Sequence, residues 1–477
     1  MVIPDQVPSG STHRPVSMSR PILLLVLTVC AIQLVDVLST TIVIVALPAM
    51  QSDLNLTDGM RDQVAAVYAL LFGALLLLAG RLSDRFGPRR LFMAGLVAFG
   101  LGSLIGGLAP GGEILIAGRA IQGIGAALSV PAALAMITAA LPDGPDRTRV
   151  LGWWAAAGAA GGAAGFALGG MVTDALGWRW TMLANVPPVI VALIVIALIP
   201  PVSHEPASDR VPARQAVALT GGMLLLIFGL TEGQAVGLDL LRVLLPVVVG
   251  VALLGLFAHG ERGRGPLVAA AAWRDRALVV GSLAGAALTF TTSAGAVLLT
   301  LWLQAQAGLS ASAAGWALAP FSVAVVVGAT VGSRLVTRLG ATRPLAWGLA
   351  TVALAHCLHA GALGLGSVPL VVGGMVVSGA GLGVATVAST ALGLSRVDPE
   401  TSGVASGLLN ATARVGTALG IACYGILAAA GREWALDQAG DATVFGYVLA
   451  HLVGVVVLVA MIVGSRRGRS ESRRLAG

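Results

Sequence analysis

The stretch Gly80-Arg81-Leu82-Ser83-Asp84-Arg85-Phe86-Gly87-Pro88-Arg89-Arg90 decides the fold, because it places five charges and two glycines between two long apolar runs. Those runs are longer than the core helices of water-soluble proteins, so the stretch is typical of a short charged turn between two membrane spans. A weaker copy follows later, since Arg334-Leu335-Val336-Thr337-Arg338-Leu339-Gly340 matches residues 81–87 and Arg343 stands where Arg90 does. A charged turn used twice predicts a transporter of two similar halves with its substrate bound between them.

The composition places the chain in a lipid bilayer. Hydrophobic residues make up 57% of the sequence, charged residues make up 11%, and the mean hydropathy is +0.91, values that a water-soluble globule does not have. The net charge of +7 does not indicate nucleic-acid binding, because the basic residues lie in short turns and not on one soluble face. Lysine is missing from the sequence, so no Gly-Lys-Ser or Gly-Lys-Thr phosphate loop exists and an ATP-driven pump is excluded within this chain.

Apolar runs of about 20 residues or more, the length that crosses the hydrocarbon core, predict fourteen transmembrane helices. We therefore expect an all-α polytopic membrane protein with two six-helix halves plus two inserted helices. The expected segments are a cytoplasmic N-terminal tail at 1–20, an N-terminal half at 21–200, a linker with the inserted pair at 201–276, a C-terminal half at 277–464 and a basic cytoplasmic tail at 465–477.

The arginines predict the orientation of the chain. All 29 basic residues are arginines, and most of them lie in the two tails and in alternate connections between spans. The opposite set of connections holds only Arg61, Arg179, Arg242 and Arg432. Cytoplasmic loops carry the arginine excess, so both termini are expected on the cytoplasmic side of a bacterial cell membrane.

Polar residues inside the spans are the candidate functional residues, because a charge at mid-bilayer costs about 2.5–3.5 kcal/mol on insertion scales. Helical spacing places them in narrow polar stripes. The first span carries Gln33, Asp36 and Thr40, and the fourth span carries Arg119, Gln122 and Ser129. On the thirteenth span, the polar face includes Asn410 and Arg414. Together these residues are the predicted lining of a substrate cavity and its proton-coupling site.

Asp36 and Arg119 are the predicted proton-coupling residues. Both fall in the outer half of the bilayer, so pairing between them is possible. In the functional interpretation, Asp36 exchanges a proton whose affinity is set by burial and by movement of Arg119. The alternative is a static structural ion pair. The role of Arg414 stays open between substrate, lipid headgroup and water.

The histidines and cysteines carry no predicted site. His356 and His359 stand one helical turn apart and two imidazoles can hold a metal, but no third ligand is expected beside them, so ordinary packing is favoured. Cys30, Cys357 and Cys423 lie in separate apolar runs, which predicts neither a disulfide framework nor a zinc cluster. Neither a metal nor a cofactor is expected.

Several motifs resemble the major facilitator superfamily, and within it the fourteen-span drug:proton antiporters that export drugs and antibiotics from bacteria. The stretch 80–90 resembles the superfamily's loop between spans 2 and 3, and 119–126 is similar to its span-4 motif. The stretch 178–187 resembles the family's entry to span 6, and 406–410 with Arg414 resembles its span 13. The resemblance covers nearly the whole chain.

The resemblance implies that the charged turn is a conformational latch at the cytoplasmic face, where Asp84 pairs with arginines in one state of the transport cycle. The residues of this latch are Gly80, Asp84, Arg85, Gly87, Arg90, Arg147 and Arg149. A second set of matched positions, predicted to let helices pack closely, is Gly165, Gly169 and Gly170.

Three positions depart from the family pattern. Ser39 stands where span 1 of the family has an aspartate, and Asp36 is the nearest acid. Phe166 stands where exporters have a proline after Gly165, and Gln63 stands where a span-2 tryptophan is typical. The assignment of the proton to Asp36 therefore rests on the cost of a buried charge and not on the family position.

Three classes of function follow from these residues: a proton-coupled exporter, a facilitator or uptake carrier for a small metabolite, and a polytopic membrane enzyme. The polar set inside the membrane is too sparse for paired catalytic groups, so an enzyme is not expected. A cavity with one acid and many small apolar residues favours export of hydrophobic, neutral or cationic drugs. The expected partners are this substrate, protons and the lipid bilayer, and the chain is expected to be a monomer.

We predict that the loops at 53–62 and 432–441 face the outside of the cell and that the basic tail faces the cytoplasm. After replacement of the three native cysteines, a single cysteine at position 440 should react with a membrane-impermeant thiol reagent in intact cells. A cysteine placed in the tail at position 470 should react only after permeabilisation. The reverse result would contradict the even number of spans.

Overall fold

The computed structural model describes residues 19–141, 145–200, 213–236, 240–260, 275–397, 402–436 and 442–474. This part of the chain is almost entirely α-helical, which confirms the predicted all-α class. Most of the predicted N-terminal tail and the loop at 437–441 lie outside the described residues.

The helices are α1 Arg20–Leu54, α2 Asp58–Phe86, α3 Pro88–Gly107, α4 Gly112–Ala140, α5 Pro145–Leu176, α6 Arg179–Leu183, α7 Val186–Leu198, α8 Ala213–Val236, α9 Leu245–Gly260, α10 Arg276–Leu301, α11 Ala311–Leu339, α12 Thr342–Gly364, α13 Val368–Leu394, α14 Ser402–Leu436 and α15 Ala442–Arg474.

Hydroxyl side chains fix the first residues of two helices. The Thr57 hydroxyl accepts a hydrogen bond from Met60 N at 3.2 Å before α2, and the Ser310 hydroxyl accepts one from Ala313 N at 3.2 Å before α11. Each hydroxyl satisfies a backbone donor that the first helical turn leaves free. The long apolar runs between such boundaries form the helices, since a helix satisfies its own backbone hydrogen bonds inside the bilayer.

The duplicated charged turn has the same geometry in both halves. Gly87 N donates to Ser83 O at 3.0 Å and Gly340 N donates to Val336 O at 2.9 Å. Both glycines have positive φ, 90° and 72°, which residues with a Cβ rarely adopt. Packing repeats in the same order, because the pairs α1–α5, α2–α4 and α3–α4 correspond to α10–α14, α11–α13 and α12–α13. The structure therefore contains the internal repeat that the turn predicts.

The chain is a multi-pass membrane protein. Eleven helical segments in the described part are long and apolar enough to cross a bilayer, and α5, which bends by 41°, makes a twelfth if it is one span. The inserted pair has shorter apolar stretches, Val217–Leu226 within α8 and Leu241–Phe257, which begins just before α9. The count of fourteen spans and the exact segment boundaries stay predictions.

The two halves meet along two seams, α2 against α14 and α5 against α11. Glycines bring the helix backbones close together in both seams. A Cβ added to Gly73 of α2 would lie 2.7 Å from Arg414 Cβ, and one added to Gly170 of α5 would lie 2.6 Å from Ser312 Cα. The inserted pair packs through α8 on α2 and α14, so it lies along the first seam. Small residues at these contacts allow the close helix packing on which association in membranes depends.

The halves are also joined at one end of the bundle, where α1 ends at Leu54; we call this the Leu54 end. Gln304 Nε2 donates to Val45 O at 2.9 Å, and Ser312 N donates to Asp174 Oδ2 at 2.7 Å. Both hydrogen bonds connect one half to the other. A buried apolar cluster with members in both halves includes Leu47, Met50, Leu301 and Trp302. The Leu54 end of the bundle is therefore closed.

We expect Gly170→Ala to lower the melting temperature of the detergent-purified protein, because the new methyl group would meet the backbone of Ala311 and Ser312. Overpacking of this kind costs about 1–3 kcal/mol. Gly361→Ala is the matched control, since Gly361 also lies inside a helix but a Cβ there would meet nothing within 4 Å. Equal melting temperatures for the two variants would contradict close packing at the α5–α11 seam.

Candidate functional site

Asp36 is buried between α1 and α2. It is 3% exposed, and its Oδ1 accepts a hydrogen bond from the Tyr68 hydroxyl. Its second oxygen, Oδ2, has no hydrogen-bond partner among the described residues. A carboxyl oxygen that accepts no hydrogen bond is available to bind a proton.

The other residues of the α1 stripe flank Asp36. Gln33 is half-buried, and its Oε1 lacks a partner within the described ranges. A Cβ on Gly158 of α5 would lie 2.9 Å from Gln33 Nε2, so this side chain lies against α5. The Thr40 hydroxyl donates to the Asp36 carbonyl of its own helix at 3.2 Å. Of the two, Gln33 is the residue with unused hydrogen-bonding capacity.

Arg119 is held inside the N-terminal half. It is 1% exposed, its Nε donates to Val64 O at 3.3 Å, and its Nη1 donates to Gln122 Oε1 at 3.0 Å. The Gln122 amide in turn donates to Ser103 Oγ at 2.7 Å. These contacts hold the guanidinium between α2 and α4 in this conformation, and movement of Arg119 between states stays a prediction.

Tyr68 links Arg119 to Asp36. The guanidinium carbon of Arg119 lies 4.5 Å from the centre of the Tyr68 ring, and the hydroxyl of the same ring donates to Asp36. A cation over an aromatic face is attracted to the ring electrons. In the part of the chain described, no ion pair joins Asp36 directly to Arg119, so the predicted contact between them is indirect.

Arg414 brings a second cation to Asp36 from the C-terminal half. It is half-buried on α14, and its guanidinium carbon lies 4.4 Å from the centre of the Phe72 ring on α2. Phe72 meets Tyr68 edge to face, with 6.1 Å between the ring centres. The rings of Phe72 and Tyr68 therefore connect Arg414 to the Asp36 carboxyl. One acid of the N-terminal half is thus placed in the field of a cation from each half.

Two residues predicted to line the substrate cavity contact a helix of their own half instead. A Cβ on Gly102 of α3 would lie 2.5 Å from Gln122 N, and one on Gly95 would lie 2.7 Å from Ser129 N. Gln122 and Ser129 therefore face α3, because glycines there draw α4 close. Asn410 is exposed, and its amide donates to Ser406 O at 3.0 Å.

An apolar cavity of about 500 Å³ lies between the first seam and the inserted pair. Its walls come from α2, α8, α9, α10, α14 and α15, and include Gly73, Met223, Phe257, Phe290 and Thr412. The Thr412 hydroxyl donates to carbonyls of its own helix. The volume and the apolar walls fit a hydrophobic small molecule. The cavity adjoins the stack of Arg414 on Phe72, since Gly73 follows Phe72 and Ala411 and Val415 flank Arg414.

The charged turn lies at the opposite end of the bundle from Leu54. Arg85 stacks on Phe86 at 5.5 Å, and Arg90 is exposed. A Cβ on Gly80 would meet nothing within 4 Å, and the side chain of Asp84 lies outside the described part of the structure. Arg149 forms an ion pair with Asp146 at 3.6 Å, and Arg147 is half-buried with contacts of its own. The latch stays a prediction.

The glycines of α5 face neighbouring helices. A Cβ on Gly165 would meet the Thr41 hydroxyl, and one on Gly169 would lie 2.9 Å from Ile42 Cα, both on α1. Gly170 faces α11, as described for the second seam. The three predicted packing glycines thus lie against two different helices, one in each half.

The expectation that His356 and His359 have no third ligand beside them is wrong. His451 of α15 lies next to both, and ring nitrogens of the three histidines lie within 4.8 Å of one another. The sequence does contain a third histidine inside an apolar run, His451. The sequence alone does not show that the helix of His451 packs beside the helix of His356 and His359. Tyr68 was missed for a similar reason, although it is one of only three tyrosines in the chain.

We predict that Arg119→Gln lowers the free energy of unfolding by about 1–3 kcal/mol, because it leaves the buried Val64 carbonyl and Gln122 Oε1 without their donor. Arg414→Gln should lower it less, since Arg414 is half-buried and held by ring stacking. Thermal and denaturant unfolding of both purified variants measures the difference. Equal losses would show that Arg119 is not an anchored structural cation.

Known proteins with similar sequences are bacterial exporters and resistance proteins. The chain is 32% identical over 465 residues to the puromycin resistance protein pur8 of Streptomyces alboniger, covering 91% of this chain and 89% of that one. It is 34% identical over 414 residues to the cephamycin export protein CmcT of Amycolatopsis lactamdurans, covering 82% of each. It is 31% identical to the lincomycin resistance protein of Streptomyces lincolnensis, over 96% of this chain and 93% of that one.

Solved transporter structures share the fold. A bacterial homologue of the human lysosomal transporter Spinster superposes with a TM-score of 0.69 at 18% identity, over 94% of this chain and 98% of that one. An autoinhibited peptide transporter of the POT family superposes with a TM-score of 0.65 at 17% identity, over 93% of this chain and 96% of that one. The family model described as Major Facilitator Superfamily matches residues 29–421 and 281–475. The chain therefore belongs to the major facilitator superfamily, and it is a membrane transporter of small molecules and not an enzyme.

Proposed function

We propose that this transporter exports hydrophobic antibiotics or other drugs, neutral or cationic, in exchange for protons, and that Asp36 carries the proton. The observation that supports the coupling is the burial of Asp36 beside two cations from different halves of the bundle. Arg119 belongs to the same half as Asp36 and lies on the ring of Tyr68, whereas Arg414 belongs to the other half and lies on the ring of Phe72.

The two arginines have different roles in this mechanism. Arg119 is fixed within the N-terminal half by Val64 and Gln122, so its distance to Asp36 stays the same when the halves move. Arg414 moves with the C-terminal half, so its distance to Asp36 changes as one end of the bundle opens. A change in the distance of a cation changes the affinity of a carboxyl group for its proton. Proton uptake at Asp36 and the opening of the bundle are coupled in this way.

One proton is sufficient for concentrative export. A proton that enters down a membrane potential of about 150 mV releases roughly 3.5 kcal/mol. For a neutral substrate, this free energy supports a gradient of several hundred-fold. For a substrate with one positive charge the exchange moves no net charge, so the pH difference across the membrane must drive it. A single titrating acid therefore suffices, and no second acid is required among the described spans.

The apolar cavity beside Phe72 supports the substrate class. Its walls are almost entirely apolar, so they offer hydrophobic contact to the bulk of a drug-sized compound. The relatives named for resistance to puromycin and lincomycin and for export of cephamycin favour antibiotics. The direction of transport in the proposal is outward.

The arginine distribution supports the location and the orientation. We place the chain in the bacterial cytoplasmic membrane with both termini in the cytoplasm and the Leu54 end outside. The closed end of the bundle then faces the outside, and the charged turn that includes Asp84 faces the cytoplasm.

Everted membrane vesicles provide the test of coupling. Wild-type vesicles should accumulate an antibiotic substrate when respiration builds a proton gradient, and an uncoupler should abolish the accumulation. Asp36→Asn should abolish uphill accumulation and keep downhill exchange, because the amide cannot exchange a proton. Asp36→Glu should retain part of the coupling, since it keeps a carboxyl group.

Glu113→Gln is the matched control, because it also removes an acid but from an exposed position in the first turn of α4. It should transport as the wild type does. Uphill accumulation by Asp36→Asn at the wild-type level would contradict the role of Asp36. Accumulation by the wild type that does not depend on the gradient would favour the facilitator instead.

A further inference from the structure

Three histidines lie together inside the C-terminal half. His356 and His359 come from α12 and His451 comes from α15, and they are 1%, 2% and 0% exposed. The Nδ1 atoms of His356 and His451 are 2.8 Å apart, and the ring centres of His359 and His451 are 5.2 Å apart. One nitrogen from each ring lies within 4.8 Å of the others.

Several nitrogens of this histidine cluster have no hydrogen-bond partner among the described residues. His356 Nε2 and His451 Nε2 are buried and unpartnered, and the backbone of Val371 is the polar neighbour of the His359 ring. The Tyr424 hydroxyl at the border of the cluster is also buried and unpartnered. Buried polar groups in folded proteins are nearly always paired, so this concentration of free donor atoms at one place indicates a ligand.

Glycines on three helices leave room for the rings. A Cβ on Gly295 of α10 would lie 3.2 Å from a His451 ring carbon and 3.3 Å from one of His356. A Cβ on Gly374 of α13 would lie 2.6 Å from His359 Nε2. A Cβ on Gly454 of α15 would meet the Tyr424 hydroxyl and lie 3.5 Å from His356 Nδ1. The histidine cluster is thus enclosed by α10, α13 and α15, and the enclosing positions have no side chains.

We propose that His356, His359 and His451 bind a divalent d-block cation of the Zn²⁺ type and clamp α12 to α15. Imidazole nitrogen is a donor that Zn²⁺, Ni²⁺ and Cu²⁺ favour, whereas Mg²⁺ and Ca²⁺ require oxygen donors. Three histidines with an open fourth position form a known arrangement for Zn²⁺ in proteins. The Tyr424 hydroxyl borders the histidine cluster and offers an oxygen donor for that position.

Binding requires the rings to draw together, because nitrogens that now lie up to 4.8 Å apart must come within roughly 3.3 Å of one another. Zn–N distances of about 2.0–2.1 Å in a tetrahedral site place the donor nitrogens roughly 3.3 Å apart. The Nδ1 atoms of His356 and His451, now 2.8 Å apart, would separate by about half an ångström as the metal replaces their shared proton. The α12 and α15 helices already pack on each other, so the clamp needs no rearrangement of the fold.

The site is close to one end of the bundle. His359 stands about five residues before Gly364, where α12 ends, which is roughly 7–8 Å along the helix. That end of α12 lies on the same side as the Leu54 end, since successive spans alternate in direction. A metal that binds here ties together two helices of one half and does not cross either seam, so it stabilises the C-terminal half without joining it to the other.

Metal titration of the full-length protein tests the proposal. The protein is purified in detergent with a tag that contains no histidine, stripped with a chelator and titrated with Co²⁺ and then Zn²⁺ alone. We expect one ion per chain, visible absorption bands of tetrahedral Co²⁺ that Zn²⁺ displaces, and a melting temperature that rises with Zn²⁺. His451→Ala should bind at least about tenfold more weakly and lose both the bands and the rise in melting temperature.

The control for surface binding is His259→Ala, which removes an exposed histidine on α9 and should bind metal as the wild type does. His451→Gln replaces His451→Ala if the smaller side chain prevents folding, and monodisperse elution shows that the variant is folded. The proposal is overturned if the wild type retains no stoichiometric metal. It is also overturned if the variant at His451 binds with wild-type affinity and gives the same Co²⁺ spectrum.

Discussion

Backbone contact between helices is the constraint on which this structure depends. Lipid tails are as apolar as leucine, so burial of apolar side chains does little to hold one membrane helix against another. Close packing and dispersion must do so, and these require small residues at the points of contact. The 64 glycines of the chain supply them, at Gly73 and Gly170 in the two seams and at Gly95 and Gly102 between α3 and α4. Where a glycine lies therefore decides which face of each helix turns inward.

The buried polar groups follow from this packing. Once α4 is drawn onto α3, the side chains of Arg119 and Gln122 have no water to bind, and they bind Val64 O and Ser103 Oγ instead. Once α14 is drawn onto α2, Arg414 lies on the ring of Phe72. Asp36 is left with one oxygen bonded to Tyr68 and one without a partner among the described residues. Free polar groups inside a membrane protein mark places where a ligand or a proton is exchanged.

The parts of the fold that local sequence determines were predictable. Length and hydropathy gave the all-helical class, and the pattern around Gly87 and Gly340 gave the internal repeat, because a charged turn with a glycine at positive φ is a local property. The directions of side chains were harder to predict, since a membrane helix is apolar on every face and hydrophobicity does not fix its rotation. Gln122 and Ser129, for example, were predicted to line the substrate cavity, and in the structure they face α3. Tyr68, Phe72 and His451 owe their place in the sites to packing between helices distant in sequence, which one sequence does not reveal.

The inserted pair α8 and α9 breaks the symmetry that the repeat would otherwise give to the bundle. It packs on α2 and α14, and the α5–α11 seam carries no such pair among the described helices. The inserted pair therefore covers the α2–α14 seam with protein, whereas exposed apolar side chains such as Trp316 and Val323 of α11 leave the surface beside the α5–α11 seam available to lipid. Lateral pressure and bilayer thickness then act on the two seams unequally. The surrounding lipid therefore affects movement at one seam more than at the other, although the two halves have the same repeated fold.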